Sequence, residues 1–299
     1  MSSLLEKKYL SSNIINKVDN LFLKARLVVE GFIVGLHKSP YHGFSVEFSE
    51  HKPYGYGDEI KYIDWKLWAK TDKLFIKQFE EETNLKCHLI LDKSSSMNFG
   101  SDKITKFEYS KTLVAALSYL MIKQQDAVGL SIFDTTIRSS ITPKSKTSHL
   151  NLILKTLQNA KIGGETDIPI ILHSLAESIK KRGLIILISD LIDNQDEIIK
   201  GLRHFRHKGH EVIVFHILDD NELNLNYNQS MQFEDLENNE NIKTDPRHIK
   251  IDYKKSISKF CMKYKIECEK NKIDYINVNT SNLIDQSLLE YLIKRNKLS

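Results

Sequence analysis

Five residues with side-chain oxygen atoms lie at three points of the chain where they could converge on one metal ion: Asp92, Ser94, Ser96, Thr166 and Asp190. The first three form an Asp-x-Ser-x-Ser pattern after an apolar run. The threonine follows a glycine pair, and the second aspartate ends the most apolar run of the chain. Carboxylate and hydroxyl oxygens suit a hard divalent cation that keeps part of its water shell. The set therefore predicts a Mg²⁺ site, in which Mn²⁺ could replace Mg²⁺.

The uncharged hydroxyls decide what such a metal could do. Because they add no negative charge, the cation stays electron-poor and can accept a carboxylate from another molecule. This favours a metal-dependent interaction with a protein partner, and we assign no catalytic residue. A structural explanation also exists, in which the serines cap a helix and the aspartates are ordinary strand ends. For the threonine position, Thr135, Thr136 and Thr142 also lie in predicted loops.

Apolar runs alternate with amphipathic segments over most of the chain. The runs predict strands at 85–91, 127–133, 184–188, 212–218 and 273–278. The amphipathic spacing predicts helices at 106–124, 147–160, 168–181, 195–207, 256–271 and 283–295. Ser101 and Asp102 are candidate caps of the first helix. This alternation indicates a doubly wound, mostly parallel α/β sheet covered on both faces, in which ligands bind beyond the carboxyl ends of the strands.

The first 80 residues do not fit this alternation. Residues 4–36 favour a helix, and 37–77 are dense in Gly, Tyr, Asp and Trp. We therefore divide the chain into 1–80, a helical and irregular extension that packs on the main domain, and 81–299, the α/β domain. The polar, Asn-rich stretch 219–250 predicts a loop with a short hairpin.

The five oxygen-bearing residues, in this order, resemble the metal-ion-dependent adhesion site (MIDAS) of von Willebrand factor A domains. The resemblance implies a von Willebrand factor A-like, Rossmann-type sheet with a metal on its top face. It implies that Ser94, Ser96 and sometimes Thr166 bind the metal directly. Asp92 and Asp190 would bind it largely through water.

The segment before the α/β domain carries a second pattern, formed by Glu47-Phe48, Tyr54, Gly57-Asp58, Ile63-Asp64-Trp65, Ala69-Lys70 and Leu74. It resembles the signature of the domain of unknown function 58 (DUF58) family, whose members continue into a von Willebrand A-like domain. Related residues follow at Phe233-Glu234-Asp235, Tyr253 and Ile273-Asp274-Tyr275. Proteins of this kind are commonly encoded beside MoxR-type AAA+ ATPases. The resemblance therefore implies such an ATPase as a partner, and a role in protein assembly or maturation.

The composition suits a globular protein in a reducing compartment. The chain has 299 residues, a net charge of +4 and three cysteines. Three cysteines cannot form a closed disulfide framework, and their spacing matches no zinc pattern. The amino terminus lacks the apolar core of a signal peptide, and no apolar run reaches the length of a membrane span. We therefore expect a cytoplasmic protein.

Two other functions remain open from the sequence. A Mg²⁺-dependent phosphohydrolase would use Asp92 as its nucleophile. However, position 94 is serine, where that chemistry needs a second aspartate as acid and base. Nucleic-acid binding would use the basic clusters 180–182 and 203–208. These clusters are short and lie on or beside predicted helices, where solvated faces are the usual explanation.

Overall fold

Six strands form one sheet at the centre of the protein. The computed structural model describes residues 20–37, 52–53, 55, 68–69, 74–76, 85–101, 104–164, 166–234 and 241–296. The strands are β1 (Lys52–Pro53), β2 (Phe75–Ile76), β3 (Lys86–Asp92), β4 (Ala127–Phe133), β5 (Ile137–Lys144), β6 (Leu184–Ser189), β7 (Glu211–Leu218), β8 (Met231–Glu234), β9 (Asn241–Thr244) and β10 (Asp274–Asn279). The helices are α1 (Leu21–His37), α2 (Lys106–Lys123), α3 (Thr147–Asn159), α4 (Ile168–Ser178), α5 (Gln195–His207), α6 (Asp220–Asn224), α7 (Pro246–Lys270) and α8 (Ile284–Asn296).

The sheet has the strand order β10-β7-β6-β3-β4-β5. Neighbouring strands are parallel except β5, which runs antiparallel to β4 at one edge. From β3 the chain continues to β4 and β5 on one side, and then returns to β6, β7 and β10 on the other. The fold class predicted from the sequence is confirmed in its architecture: a doubly wound, mostly parallel α/β sheet. Its switch point lies between β3 and β6, and ligands bind at such points in α/β sheets.

Apolar side chains cover both faces of the sheet, as continuous apolar strands require. Every residue of β6 is buried. Ile186 and Ile188 join the core beneath α2, whereas Ile185 and Leu187 join the core beneath α4 and α5. Packing on both faces fixes the strand ends that carry the candidate site.

Helix α1 packs against α2. Its residues Ala25, Val28 and Val29 are buried in the core beneath α2. The helix expected over 4–36 is present from Leu21, while its first half and most of the signature segment lie outside the described residues. The division of the chain at residue 80 stays a prediction. None of the helices described, α1 included, combines the length and apolar surface that crossing a bilayer requires.

The predicted parallel strands, the helices between them and the hairpin β8–β9 are confirmed within a few residues, apart from one helix start. Strand β5 has no counterpart among the predicted strands. Its residues alternate between half-buried and exposed, as in an edge strand, and so form no apolar run. Thr142, expected in a loop, lies in this strand.

One helix start and one helix cap differ from expectation. Helix α7 begins at Pro246 rather than at 256, because Asp245 caps it and proline fits the first turn. Helix α2 is capped by Thr105. Of the two expected caps, Ser101 donates instead to a carboxylate from the segment after β7, and Asp102 lies outside the described residues.

Candidate metal site

The side chains of Asp92 and Asp190 lie at the carboxyl edge of the sheet, at its switch point. Asp92 is the last residue of β3, and Asp190 directly follows β6. The two strands are neighbours, and Leu91 lies opposite Ile188. Both aspartates are fully buried. The strand order therefore brings together two predicted site residues that are far apart in the sequence.

Asp92 accepts a hydrogen bond on each carboxylate oxygen. The N–H of Ser94 donates to Oδ1 at 2.8 Å, and the hydroxyl of Ser189 donates to Oδ2 at 2.7 Å. Burial, together with the charge of Asp190, raises the pKa of Asp92 to about 7. Among the described residues no positively charged side chain contacts Asp92 itself, and a bound cation would supply that charge.

The hydroxyl oxygens of Ser94 and Ser96 lie 3.0 Å apart. Ser94 occupies the N-cap position of the 3₁₀ helix Ser95–Asn98, but its side chain makes no capping hydrogen bond. The alternative in which Ser94 serves to cap a helix is therefore wrong. Two adjacent hydroxyls remain as candidate metal ligands, and the Ser94 side chain is fully buried.

Thr166 lies on a loop that is tied to the Asp-x-Ser-x-Ser loop. The N–H of Ser95 donates to the carbonyl oxygen of Gly164 at 3.0 Å, and the N–H of Gly163 donates to that of Lys93 at 3.2 Å. Gly164 has a φ of +94°, which favours glycine. The hydroxyl oxygen of Thr166 is buried and has no hydrogen-bond partner among the described residues. Leaving such an atom unsatisfied costs about 1–3 kcal/mol, and a metal ion would satisfy it.

Lys106, the first residue of α2, brings a buried positive charge to the site. Its ammonium lies 2.8 Å from Asp190 Oδ2 and 2.5 Å from Glu222 Oε1. Burial alone would lower the pKa of Lys106, but the two carboxylates outweigh burial and raise it. The lysine is therefore charged, and it fixes one oxygen of Asp190.

Glu222 and Asp219 support Lys106 from a segment that the sequence predicts as a loop. They form the capping box of α6, in which the N–H of Asp219 donates to Glu222 Oε2 at 2.8 Å. Asp219 in turn accepts hydrogen bonds from Ser101 and Thr280. The predicted site residues include none of this support. Its one signal in the sequence is the capping-box spacing of Asp219 and Glu222.

The backbone of Asp190 is held by His216 on β7. Nε2 of His216 lies 2.8 Å from the carbonyl oxygen of Asp190, and Nδ1 lies 2.5 Å from the hydroxyl of Tyr275. Burial lowers the pKa of His216 to about 4, so the ring is neutral. Nε2–H then donates to Asp190, and Nδ1 accepts from Tyr275.

The net charge of the ionised side chains at the site is equal and opposite to the charge of one divalent cation. Asp92, Asp190 and Glu222 carry three negative charges when ionised, against one positive charge on Lys106, which leaves two negative charges. One Mg²⁺ ion would neutralise them. Within the described ranges, no three His, Cys, Asp or Glu side chains are arranged to hold a metal. A metal here would therefore depend on the serine and threonine hydroxyls.

A family model described as "Protein of unknown function DUF58" matches residues 50–260. The chain is also similar to an uncharacterized protein of Mycobacterium bovis and to one of Mycobacterium tuberculosis. It is 24% identical to each over 208 residues, which is 69% of this chain. The match spans 65% of the length of these relatives.

The solved structures that are similar to this chain include the following three. An aerotolerance-related membrane protein from Bacteroides fragilis is 18% identical, covering 70% of this chain and 99% of that one, with a TM-score of 0.48. BatB, a conserved hypothetical protein from Bacteroides thetaiotaomicron, is 16% identical, covering 72% and 100%, with a TM-score of 0.46. The SpRpn10 VWA domain is 13% identical, covering 68% and 92%, with a TM-score of 0.40.

Proposed function

The chain belongs to the DUF58 family, and from this premise we propose that it is a protein–protein interaction module without enzymatic activity. The module would bind a carboxylate of its partner through a Mg²⁺ ion. Mn²⁺ would serve in place of Mg²⁺. The proposed metal ligands, direct or through water, are Asp92, Ser94, Ser96, Thr166 and Asp190. The observation that carries the proposal is the buried hydroxyl oxygen of Thr166. It has no hydrogen-bond partner among the described residues, and it lies on a loop hydrogen-bonded to the Asp-x-Ser-x-Ser loop.

The five proposed ligands would contribute to ion binding in two different ways. The hydroxyls of Ser94, Ser96 and Thr166 would provide neutral oxygen ligands. Asp92 and Asp190 would orient bound water and supply negative charge. Lys106 already occupies one oxygen of Asp190, whose other oxygen accepts one long backbone hydrogen bond of 3.4 Å. When bound, Mg²⁺ supplies an electron-poor coordination position for a carboxylate from outside.

Two features favour binding over hydrolysis. Both carboxylate oxygens of Asp92 accept hydrogen bonds from fixed donors, so a nucleophilic attack by this residue would break one of them. Position 94 is serine and cannot act as the acid and base that an aspartyl phosphohydrolase requires. Nothing in the site favours the phosphohydrolase alternative.

For the partner we propose a MoxR-type AAA+ ATPase, on the strength of the family resemblance. The chain would act beside the ATPase in assembly or maturation of other proteins. A pull-down from native cells, in Mg²⁺ and in EDTA, tests this. Recovery of such an ATPase in Mg²⁺ alone is the expected result, and its absence in both conditions would contradict the proposed partner.

The metal function is tested by calorimetric titration with MgCl₂ alone and by thermal unfolding in Mg²⁺ and in EDTA. We expect Mg²⁺ to raise the melting temperature of the wild type, because binding to the native state alone stabilises it. The double variant Asp92→Ala/Ser94→Ala should lose this response. A metal response that is unchanged in the double variant would refute the assigned ligands, and no response in the wild type would refute the proposed function.

A further inference from the structure

A cavity of about 470 Å³ is lined in part by three cationic residues, Lys93, Arg138 and Lys161, the first of which directly follows Asp92 in the sequence. We call it the cationic pocket. Resting on the proposed function, we propose that this pocket binds a second carboxylate of the same partner. The partner surface is then an acidic segment with at least two carboxylates, one on the metal and one in the pocket.

The pocket and the metal site share one loop. Lys93, which lines the pocket, directly follows Asp92 and precedes Ser94. The N–H of Lys93 donates to the carbonyl oxygen of Phe133 at 2.9 Å, and its own carbonyl oxygen accepts from Gly163. The loop is thus fixed on both sides. Because Lys93 stands between Asp92 and Ser94 in the sequence and also lines the pocket, the pocket and the candidate metal site are neighbours on this loop.

The charge of the pocket is positive, and Asp134 holds two of its three cations in place. Asp134, which is nearly fully buried, lies 2.8 Å from Lys93 Nζ and 2.7 Å from Arg138 Nε. Burial opposes ionisation of Asp134, but hydrogen bonds, the first from Lys93, hold its pKa below the usual value. The three cations and this one carboxylate leave a net charge of +2.

Arg138 is the residue best placed to receive a carboxylate. Its side chain is 52% exposed, and its Nε is held by Asp134. The two terminal nitrogens make no hydrogen bond among the described residues, so they can donate to a carboxylate in the two-pronged geometry that arginine favours. The carboxyl-terminal end of α3 also lines the pocket. The helix dipole places about half a negative charge at that end. Lys93 Nζ lies close to this end, because it donates to the carbonyl oxygen of Lys161, two residues after α3, at 3.2 Å, and its charge opposes that of the helix end.

Nucleic acid fits this surface less well. The basic clusters 180–182 and 203–208 directly precede β6 and β7, so they lie at the opposite, amino edge of the parallel sheet. Lys208 there is paired with Glu177, and Arg206 donates to the carbonyl oxygen of His210. These two clusters therefore do not extend the cationic pocket into the long basic track that binding along a phosphate backbone requires.

The test uses blocked peptides that contain either one aspartate or two. In the two-acid peptides, the second aspartate is placed about two to four residues after the first, which is roughly 7–14 Å along an extended chain. Binding is measured by fluorescence anisotropy in Mg²⁺ and in EDTA. For the best two-acid peptide in Mg²⁺ we expect about fivefold to tenfold tighter binding than for the one-acid peptide, the size of one partly exposed charged contact.

The variant Arg138→Gln/Lys161→Gln should abolish this difference while leaving one-acid binding and calorimetric Mg²⁺ affinity unchanged. Lys255→Gln/Lys259→Gln on α7 removes two exposed charges elsewhere and should preserve the difference. Peptide binding that is lost in EDTA but insensitive to the pocket variant would refute the pocket and keep the metal site. Binding that the pocket variant weakens but EDTA does not would refute the metal-dependent function. It would also refute the proposal that one carboxylate binds the metal while the second binds the pocket. Equal affinity for both peptides, or binding of an oligonucleotide that the pocket variant alone abolishes, would overturn the proposal.

Discussion

The variant Lys106→Met removes the buried positive charge from the candidate site and leaves its volume nearly filled. Lys106 is fully buried, and its partners Asp190 and Glu222 have side chains that are 1% and 17% exposed. Removing one partner of a buried ion pair costs about 3–5 kcal/mol, because the remaining charge is left uncompensated. We therefore expect the free energy of unfolding in EDTA to fall by about 3–5 kcal/mol.

The same variant should respond more strongly to Mg²⁺ than the wild type. Without the ammonium, all charge compensation at Asp190 must come from the metal, so the ion gains affinity for the native state. Each tenfold gain in affinity adds about 1.4 kcal/mol of stabilisation at saturating metal. Part of the stability lost in EDTA should therefore return in Mg²⁺.

Urea denaturation in EDTA and in Mg²⁺ measures both effects. Lys111→Met is a matched control on the same helix, because Lys111 pairs with Glu108, whose side chain is 53% exposed. An ion pair of that kind contributes about 0–1 kcal/mol. A loss for Lys106→Met no larger than the loss for Lys111→Met would refute the assignment of Lys106. So would a Mg²⁺ stabilisation smaller than in the wild type.

Three further variants test the supports of the site. Ser189→Ala removes the donor to Asp92 Oδ2 and should cost about 1–3 kcal/mol in urea denaturation in EDTA; a loss below about 0.5 kcal/mol would contradict this hydrogen bond. Gly164→Ala forces a side chain into a φ of +94° and should cost about 1–2 kcal/mol and weaken Mg²⁺ binding in calorimetry; wild-type values for both would show that the loop does not need glycine there. Thr105→Ala removes the α2 cap and should cost about 1 kcal/mol in urea denaturation, with unchanged stability as the contrary outcome.

The sequence predicts the central sheet and the approach of the two aspartates well, for a physical reason. A strand such as 184–189 is buried on both faces, so its apolar run is unambiguous. Residues that end neighbouring parallel strands must also share one edge of the sheet. Asp92 and Asp190 follow from these two facts.

The residues that complete the site could not be found in this way. Periodicity arguments place a lysine on the solvent side of a helix, whereas Lys106 is buried because two carboxylates from other elements surround it. Glu222 lies in a segment of low apolar content, which predicts a loop. The hydroxyl of Thr166 finds no partner in the described part of the chain, and this is visible only once the loop containing Gly164 has been placed.

The most direct test of the proposed metal site compares the variants Thr166→Val and Thr112→Val. Both threonines carry little-exposed hydroxyls, but Thr112 donates to the carbonyl oxygen of Glu108 at 3.0 Å, whereas Thr166 has no partner among the described residues. Calorimetric titration with MgCl₂ and urea denaturation in EDTA give affinity and stability for each. We predict that Thr166→Val weakens Mg²⁺ binding by about tenfold or more, the size of one lost charged contact, without loss of stability in EDTA. Thr112→Val should lose about 1 kcal/mol of stability and keep its Mg²⁺ affinity. Equal Mg²⁺ affinity in both variants, or no Mg²⁺ binding by the wild type, would contradict a metal site at the end of β3.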